Sequence, residues 1–114
     1  MALHIDHVVW GVDDLDRAAA SVQARYGLAS MPGGRHPDWG TANRIVPLGS
    51  TYLELLAVVD PDEAAADPVG SGYVRHIQQA PGLMLWCVAT DELDAIALRL
   101  GLSLQAKSRV LPDG

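Results

Sequence analysis

Phenylalanine is missing from this 114-residue chain, and cysteine occurs once. A lone Cys87 excludes an internal disulfide and a cysteine-rich zinc site within the chain. Without Phe, the core has to be built from Val, Leu, Ile and Ala, with three Trp and three Tyr as bulky fillers. Basic residues are scarce: eight Lys and Arg stand against fourteen Asp and Glu, a formal net charge of −6. No basic stripe occurs, which argues against a nucleic-acid groove or an anionic membrane surface as partner. No apolar run is long enough to span a bilayer. Met1-Ala2-Leu3-His4 enters a strand-like pattern at once, without the layout of a signal peptide. A reducing, cytoplasmic setting is therefore expected. Phosphate-binding, dinucleotide-binding, zincin and nucleophile-elbow motifs are missing as well.

What is present is the composition of one globular domain, 49% apolar and 19% charged. The patterning predicts an α+β chain. His4 to Val12 reads as a first strand. Asp13 or Asp14 then caps a helix in which Leu15, Ala18, Ala19, Val22 and Tyr26 recur at helical spacing, and Gly27 stops it. Leu28 to Met31 opens a second strand, and residues 32–40, rich in Pro and Gly, read as a loop. Thr41 to Leu48 and Thr51 to Val59 are a third and a fourth strand, joined by the hairpin signal Gly49-Ser50. A connector with a helical turn near residues 64–66 follows. A short helix is then expected from Ser71, as N-cap, to Gln79. Leu83 to Thr90 reads as a fifth strand. An amphipathic helix from Asp91 should carry Leu93, Ile96, Ala97 and Leu100 on one face, with Gly101 as its stop, and Leu102 to Val110 should form a sixth strand.

One stretch repeats. His7 to Ala19 aligns without gaps on Leu85 to Ala97, so that Asp13 falls on Asp91, Leu15 on Leu93, Asp16 on Asp94 and Ala19 on Ala97. Both copies are a strand, an acidic cap and a helix, the mark of a duplicated supersecondary unit.

Two side chains carry most of the chemical signal. Glu54 is the one acid in the apolar strand Tyr52 to Val59. An unpaired buried carboxylate is costly, so it faces a cleft, meets a partner or holds a proton. His7 shares a strand face with Ile5, Val9 and Gly11. From the residues alone it is either a hydrogen-bonded structural imidazole or a metal ligand. Asn43 and Arg44 alternate, so one of them points inward. Cys87, between Trp86 and Val88, reads as a small core residue.

Ile5-Asp6-His7-Val8-Val9, the stretch Gly33-Gly34-Arg35-His36-Pro37-Asp38-Trp39-Gly40-Thr41-Ala42-Asn43, and Tyr52-Leu53-Glu54-Leu55 occur in an order that resembles the vicinal oxygen chelate superfamily, in its glyoxalase-like branch. The resemblance covers about residues 4–100. It implies a βαβββ module at 4–59, a connector at 60–82 and the start of a second module at 83–114, with the rest of that module beyond Gly114. It further implies a curved sheet around a small-molecule cleft, with Trp10, His36, Trp39, Asn43 and Tyr52 as substrate contacts. Glu54 would be the catalytic residue. One divalent metal ion would be held by His7, Glu54 and their counterparts in the second module. The repeat places Leu85 where the second His would stand, so only half of that donor set is visible. A lyase, isomerase or dioxygenase is one implied function, and a metal-free sequestering protein is the other. A third reading is a fragment whose activity needs further strands. An incomplete second module leaves sheet edge and apolar surface to be covered, for which a homodimer is the expectation.

Overall fold

The computed structural model describes residues 2–111, so the last three residues of the expected second module lie outside the described residues. Nine elements follow one another: β1 (Leu3–Gly11), α1 (Leu15–Tyr26), β2 (Met31–His36), β3 (Thr41–Leu48), β4 (Thr51–Val58), α2 (Pro61–Ala65), α3 (Pro68–Gln79), β5 (Gly82–Thr90) and α4 (Leu93–Leu100). The strands form one mixed, curved sheet in the order β2-β3-β4-β1-β5. β1 runs parallel to β4 and antiparallel to β5, while β2, β3 and β4 form an antiparallel meander. The α+β expectation and the order of the first module hold. Among the described residues no helix is long and apolar enough to cross a membrane.

Strand alternation sorts the side chains onto two faces. His7, Val9 and Gly11 pair with Tyr52, Glu54 and Leu56, and Asn43 continues that row from β3. This face carries the cluster Val9, Leu56 and Ile77, which α3 partly covers through Tyr73 and Ile77. The opposite face holds Val46, Leu55 and Ala57, all fully or nearly fully buried. α1 packs there, against β3 and β4. Its half-buried residues are Leu15, Ala18, Ala19 and Val22, whereas Tyr26, expected in the same stripe, is 62% exposed.

The helix starts follow the acids. The Asp14 carboxylate accepts the Arg17 N–H at 2.8 Å, Asp60 accepts that of Glu63 at 3.0 Å, and Asp67 accepts those of Val69 and Gly70 at 2.8 and 3.1 Å. This corrects the expected cap at Ser71, which lies inside α3. The overlooked signal is Asp67-Pro68: an acid followed by a proline at the first helical position, where the missing N–H costs nothing. Asp60-Pro61 starts α2 in the same way.

The expected loop at residues 32–40 shrinks to the turn at 37–40, because Met31 to His36 pairs with β3. Pro and Gly are tolerated there because β2 is an edge strand with a bulge between Pro32 and Arg35. Residues 102–110 do not form the expected sixth strand. They run as irregular chain that meets β2 in a single antiparallel bridge, Arg35 to Val110.

β5 and α4 repeat the order of β1 and α1, but their apolar surface is open. Leu93 and Leu100, on the apolar face of α4, are 56% and 62% exposed, and Trp86 on β5 is 64% exposed. Ala97 is the buried residue of α4.

Two outcomes are expected. Gly40 has φ +68°, and a Cβ there would sit 2.3 Å from the Asp60 carbonyl oxygen and 2.6 Å from the Ala64 nitrogen. Gly40→Ala should therefore lower stability by roughly 2 kcal/mol or more in urea titration, and a neutral result would refute the close approach. We also propose that the open β5–α4 surface is covered by a second copy. Sedimentation at tens of micromolar, on the order of many specific dimer dissociation constants, should give twice the chain mass, and a clean monomer would count against it.

Candidate functional site

The concave face ends in a cleft of about 440 Å³. His7, His36, Trp39, Asn43, Tyr52 and Glu54, all singled out from the sequence, line it together. Trp10 does not: it pairs with Leu55 and so belongs to the opposite face. That is a correction, and its cause is parity, because His7 and Trp10 stand an odd number of residues apart in one strand.

Glu54 is 6% exposed. Its Oε1 lies 3.2 Å from Nε2 of His7, so the acid is partnered. The other imidazole nitrogen, Nδ1, lies 2.8 Å from Oδ2 of Asp6. Neighbours in a strand normally point to opposite faces. Asp6 reaches the ring because β1 carries an irregularity between Ile5 and His7 in its pairing with β5, and such bulges re-aim side chains. The Tyr52 ring stacks on the His7 ring, 4.5 Å between centres and 8° from parallel, which fixes the imidazole plane. Burial raises the Tyr52 phenol, and the charges of Glu54 and Asp6 raise it further.

The opposite wall is a second network. Asn43 Oδ1 accepts the Gly34 N–H at 2.7 Å, which orients the amide. Its Nδ2 then faces Nε2 of His36 at 3.4 Å, and Nδ1 of His36 lies 2.9 Å from the Thr41 hydroxyl oxygen. A neutral imidazole with its proton on Nδ1 satisfies both contacts. Burial lowers the pKa of His36; Glu54 raises it in part and Arg109 lowers it again. Gly33 completes this wall: a Cβ there would lie 2.8 Å from the Asn43 Cγ.

Trp39 packs its ring at 5.8 Å from His36 and 5.7 Å from Tyr73, with the Lys107 Nζ 5.1 Å from its centre. Its indole N–H is buried without an acceptor among the described residues, so packing holds the ring. Burial, then Glu54, then Cys87 push the Tyr73 phenol up to about 12.

Several cleft residues were not foreseen. Tyr73 arrives on α3, and Lys107, Ser108 and Arg109 arrive from the irregular chain after α4. Cys87, read as core, is half-buried and lines the cleft beside Leu85. The signal for it was its place in the repeat: β5 sits where a second β1 would, so its inward residues face the same cleft. Burial, with Glu54 and Asp6, raises the Cys87 thiol, which keeps it protonated and a poor nucleophile.

The donor set does not fit the divalent ion that the resemblance implies. Among the described residues no three His, Cys, Asp or Glu side chains converge on a point where a metal ion would sit. His7 and Glu54 lie 3.2 Å apart, and β5 presents Leu85 and the Cys87 thiol, whose pKa burial raises. A tight site needs three or four ligands, and of the implied set the described residues bring only His7 and Glu54 to the cleft.

The sequence model of a family described as a glyoxalase-like domain matches residues 5–114. Among curated proteins, none matches. Solved structures do match. A hypothetical protein from Staphylococcus aureus superimposes with a TM-score of 0.80 at 22% identity, over 99% of this chain and 49% of that one. A hypothetical protein from Bacillus halodurans follows with a TM-score of 0.73 at 14% identity, over 89% of this chain and 68% of that one. Methylmalonyl-CoA epimerase from Streptomyces coelicolor, solved with 2-nitronate-propionyl-CoA, gives 0.64 at 21% identity, over 86% and 67%. The chain thus spans about half the length of the first of these proteins. At these identities the likeness is one of fold.

The His36 network makes a prediction about pH. The folded state holds this imidazole below its ordinary pKa of 6.5, so on acidification the unfolded chain takes up the proton first. The contribution of His36 to stability is thus full above 6.5 and is lost progressively as pH falls from there through the lower folded pKa. The C2 proton of His36, followed by NMR, should titrate with a midpoint below 6.5. A midpoint at or above that value would mean a solvated ring.

Proposed function

The chain belongs to the glyoxalase-like domain family of the vicinal oxygen chelate superfamily, and from that premise we propose that its cleft binds a small molecule on which Glu54 moves a proton. One observation carries the reading: a buried carboxylate on the cleft floor, with one oxygen 3.2 Å from Nε2 of His7. Its second oxygen stays available to a substrate. Asp6 and Tyr52 hold the imidazole in position from two other sides. Removing a proton from a carbon beside a carbonyl needs such a base, together with donors for the oxygen that gains charge. The Asn43 amide on the facing wall is suited to that second role.

Fold neighbours include a methylmalonyl-CoA epimerase in complex with methylmalonyl-CoA. An epimerisation moves one proton at a stereocentre, which makes thioesters of 2-substituted acids the first substrates to try. In this reading residues 4–59 are the first module, 60–82 the connector, and β5 with α4 the opening of a second. The second function in view is sequestration without chemistry, favoured by the aromatic walls Trp39, Tyr52 and Tyr73.

Hydrogen–deuterium exchange separates the two. The protein is incubated in D₂O with 2-substituted carboxylic acids and their coenzyme A thioesters, methylmalonyl-CoA among them, and loss of the proton beside the carbonyl is followed by NMR. Exchange is expected for at least one compound. Glu54→Gln should slow it by roughly 10²–10⁴-fold while binding persists, and His7→Ala should slow it less. Binding without exchange across the series would end the enzyme reading and establish sequestration.

A further inference from the structure

Resting on the cleft reading above, but on none of the chemistry at Glu54, we propose that residues 102–111 form a strap that selects anionic ligands. The ligand would place an apolar body in the cleft and a carboxylate or phosphate at its mouth, held by Lys107 and Arg109.

The strap carries no regular structure, yet it is seated. The Arg35 N–H donates to the Val110 carbonyl at 2.8 Å, and the Val110 N–H donates back to the Arg35 carbonyl at 2.8 Å. It lies directly on the backbone of Gly34, where a Cβ would come within 2.5 Å of both Arg109 Cγ and the Val110 carbonyl oxygen. This seat brings Lys107 and Arg109 to the same cleft as His7 and Glu54. Lys107 is anchored further by its ammonium over the Trp39 ring.

The use of charge is the second argument. In a chain of net charge −6, Lys107 is the one lysine. The arginines of the neighbouring strands are engaged. Arg35 pairs with Glu63 at 3.0 Å and Asp60 at 3.6 Å, and Arg44 bonds the Ser30 hydroxyl at 2.8 Å. Among the described residues neither Lys107 nor Arg109 has an ion-pair partner. Two cations without an ion-pair partner among the described residues therefore stand at the mouth of a cleft whose base is apolar at Val9, Leu56 and Leu85. The acid of that floor, Glu54, is turned onto His7. The cleft is thus polarised along its depth, and an anion-outward ligand meets both ends favourably.

Calorimetric titration tests this with 2-naphthoate, 2-naphthyl phosphate and the neutral 2-naphthalenemethanol. Each is titrated into the wild-type chain and into the double variant Lys107→Gln, Arg109→Gln, whose side chains are exposed. At low salt both anions should bind about tenfold more tightly than the alcohol, and the advantage should shrink as salt rises. The advantage should vanish in the double variant while affinity for the alcohol stays. It should survive the swap Lys107→Arg, Arg109→Lys. A preference for one anion over the other identifies the headgroup. Glu54→Gln should keep the preference while failing the exchange assay, so the two proposals fail separately. Equal affinity for acid and alcohol would overturn the strap's role. So would a parallel loss of both in the double variant, or no binding of either anion up to its solubility limit.

Discussion

A carboxylate in the middle of an apolar strand has to be answered by something, and in this molecule the answer is His7 on the neighbouring parallel strand. Glu54 and His7 are not directly opposite one another: His7 pairs with Tyr52, and Glu54 pairs with Val9. The contact between them is diagonal and exists only in that register. A slip of one residue would turn Glu54 toward the face that packs on α1 and leave a bare charge among Val46, Leu55 and Ala57. The acid that makes the cleft chemically interesting is therefore also what pins β1 to β4. The bulge at Asp6, the stacked Tyr52 and the parallel crossover through α1, β2 and β3 all serve that one diagonal contact.

The two walls of the cleft handle polarity differently. The His7 side is a row of acid, imidazole and acid, with the ring set between Asp6 and Glu54. The His36 side is neutral: an amide held by a backbone N–H, an imidazole held by that amide, and a hydroxyl beyond it. Burial keeps His36 uncharged, which leaves the field inside the cleft to Glu54 on the floor and to the cations of the strap. Pocket residues that differ this much in character across a few ångströms can distinguish the two ends of a ligand.

Much of this was legible in the sequence, for identifiable reasons. Glu54 and His7 stand out because strands are period-two objects and both break an apolar pattern on matching faces. The repeat of residues 7–19 at 85–97 places β5 as a second β1, and with it Leu85 at the cleft. Trp10 misleads as an aromatic beside the motif, although parity alone sends it to the far face. Ser71 competes as a cap with Asp67, whose following proline is the stronger signal. The bulged edge strand at Met31 to His36 is hidden because Pro and Gly mark loops and edges alike. Residues 102–110 have apolar content but no strand partner beyond Arg35, and pairing is a tertiary fact that no local pattern contains. For the same reason Lys107 and Arg109 could not be assigned to the cleft: their place depends on where an irregular segment lands.

The parallel pairing of β1 with β4 has a consequence for how the chain comes to be folded. β3 and β4 are joined by the tight turn at Gly49-Ser50 and can close locally, whereas β1 must wait for a partner from the far side of α1, β2 and β3. A chain made from its N-terminus exposes β1, with Leu3 and Ile5 along it, well before β4 exists. Contacts between residues distant in sequence are slow to form and leave strand edges open in the meantime. The strand that carries half of the proposed site is thus the one that spends longest unprotected. His4, Asp6 and His7, set among its first residues, keep that early segment from being a purely apolar target for aggregation.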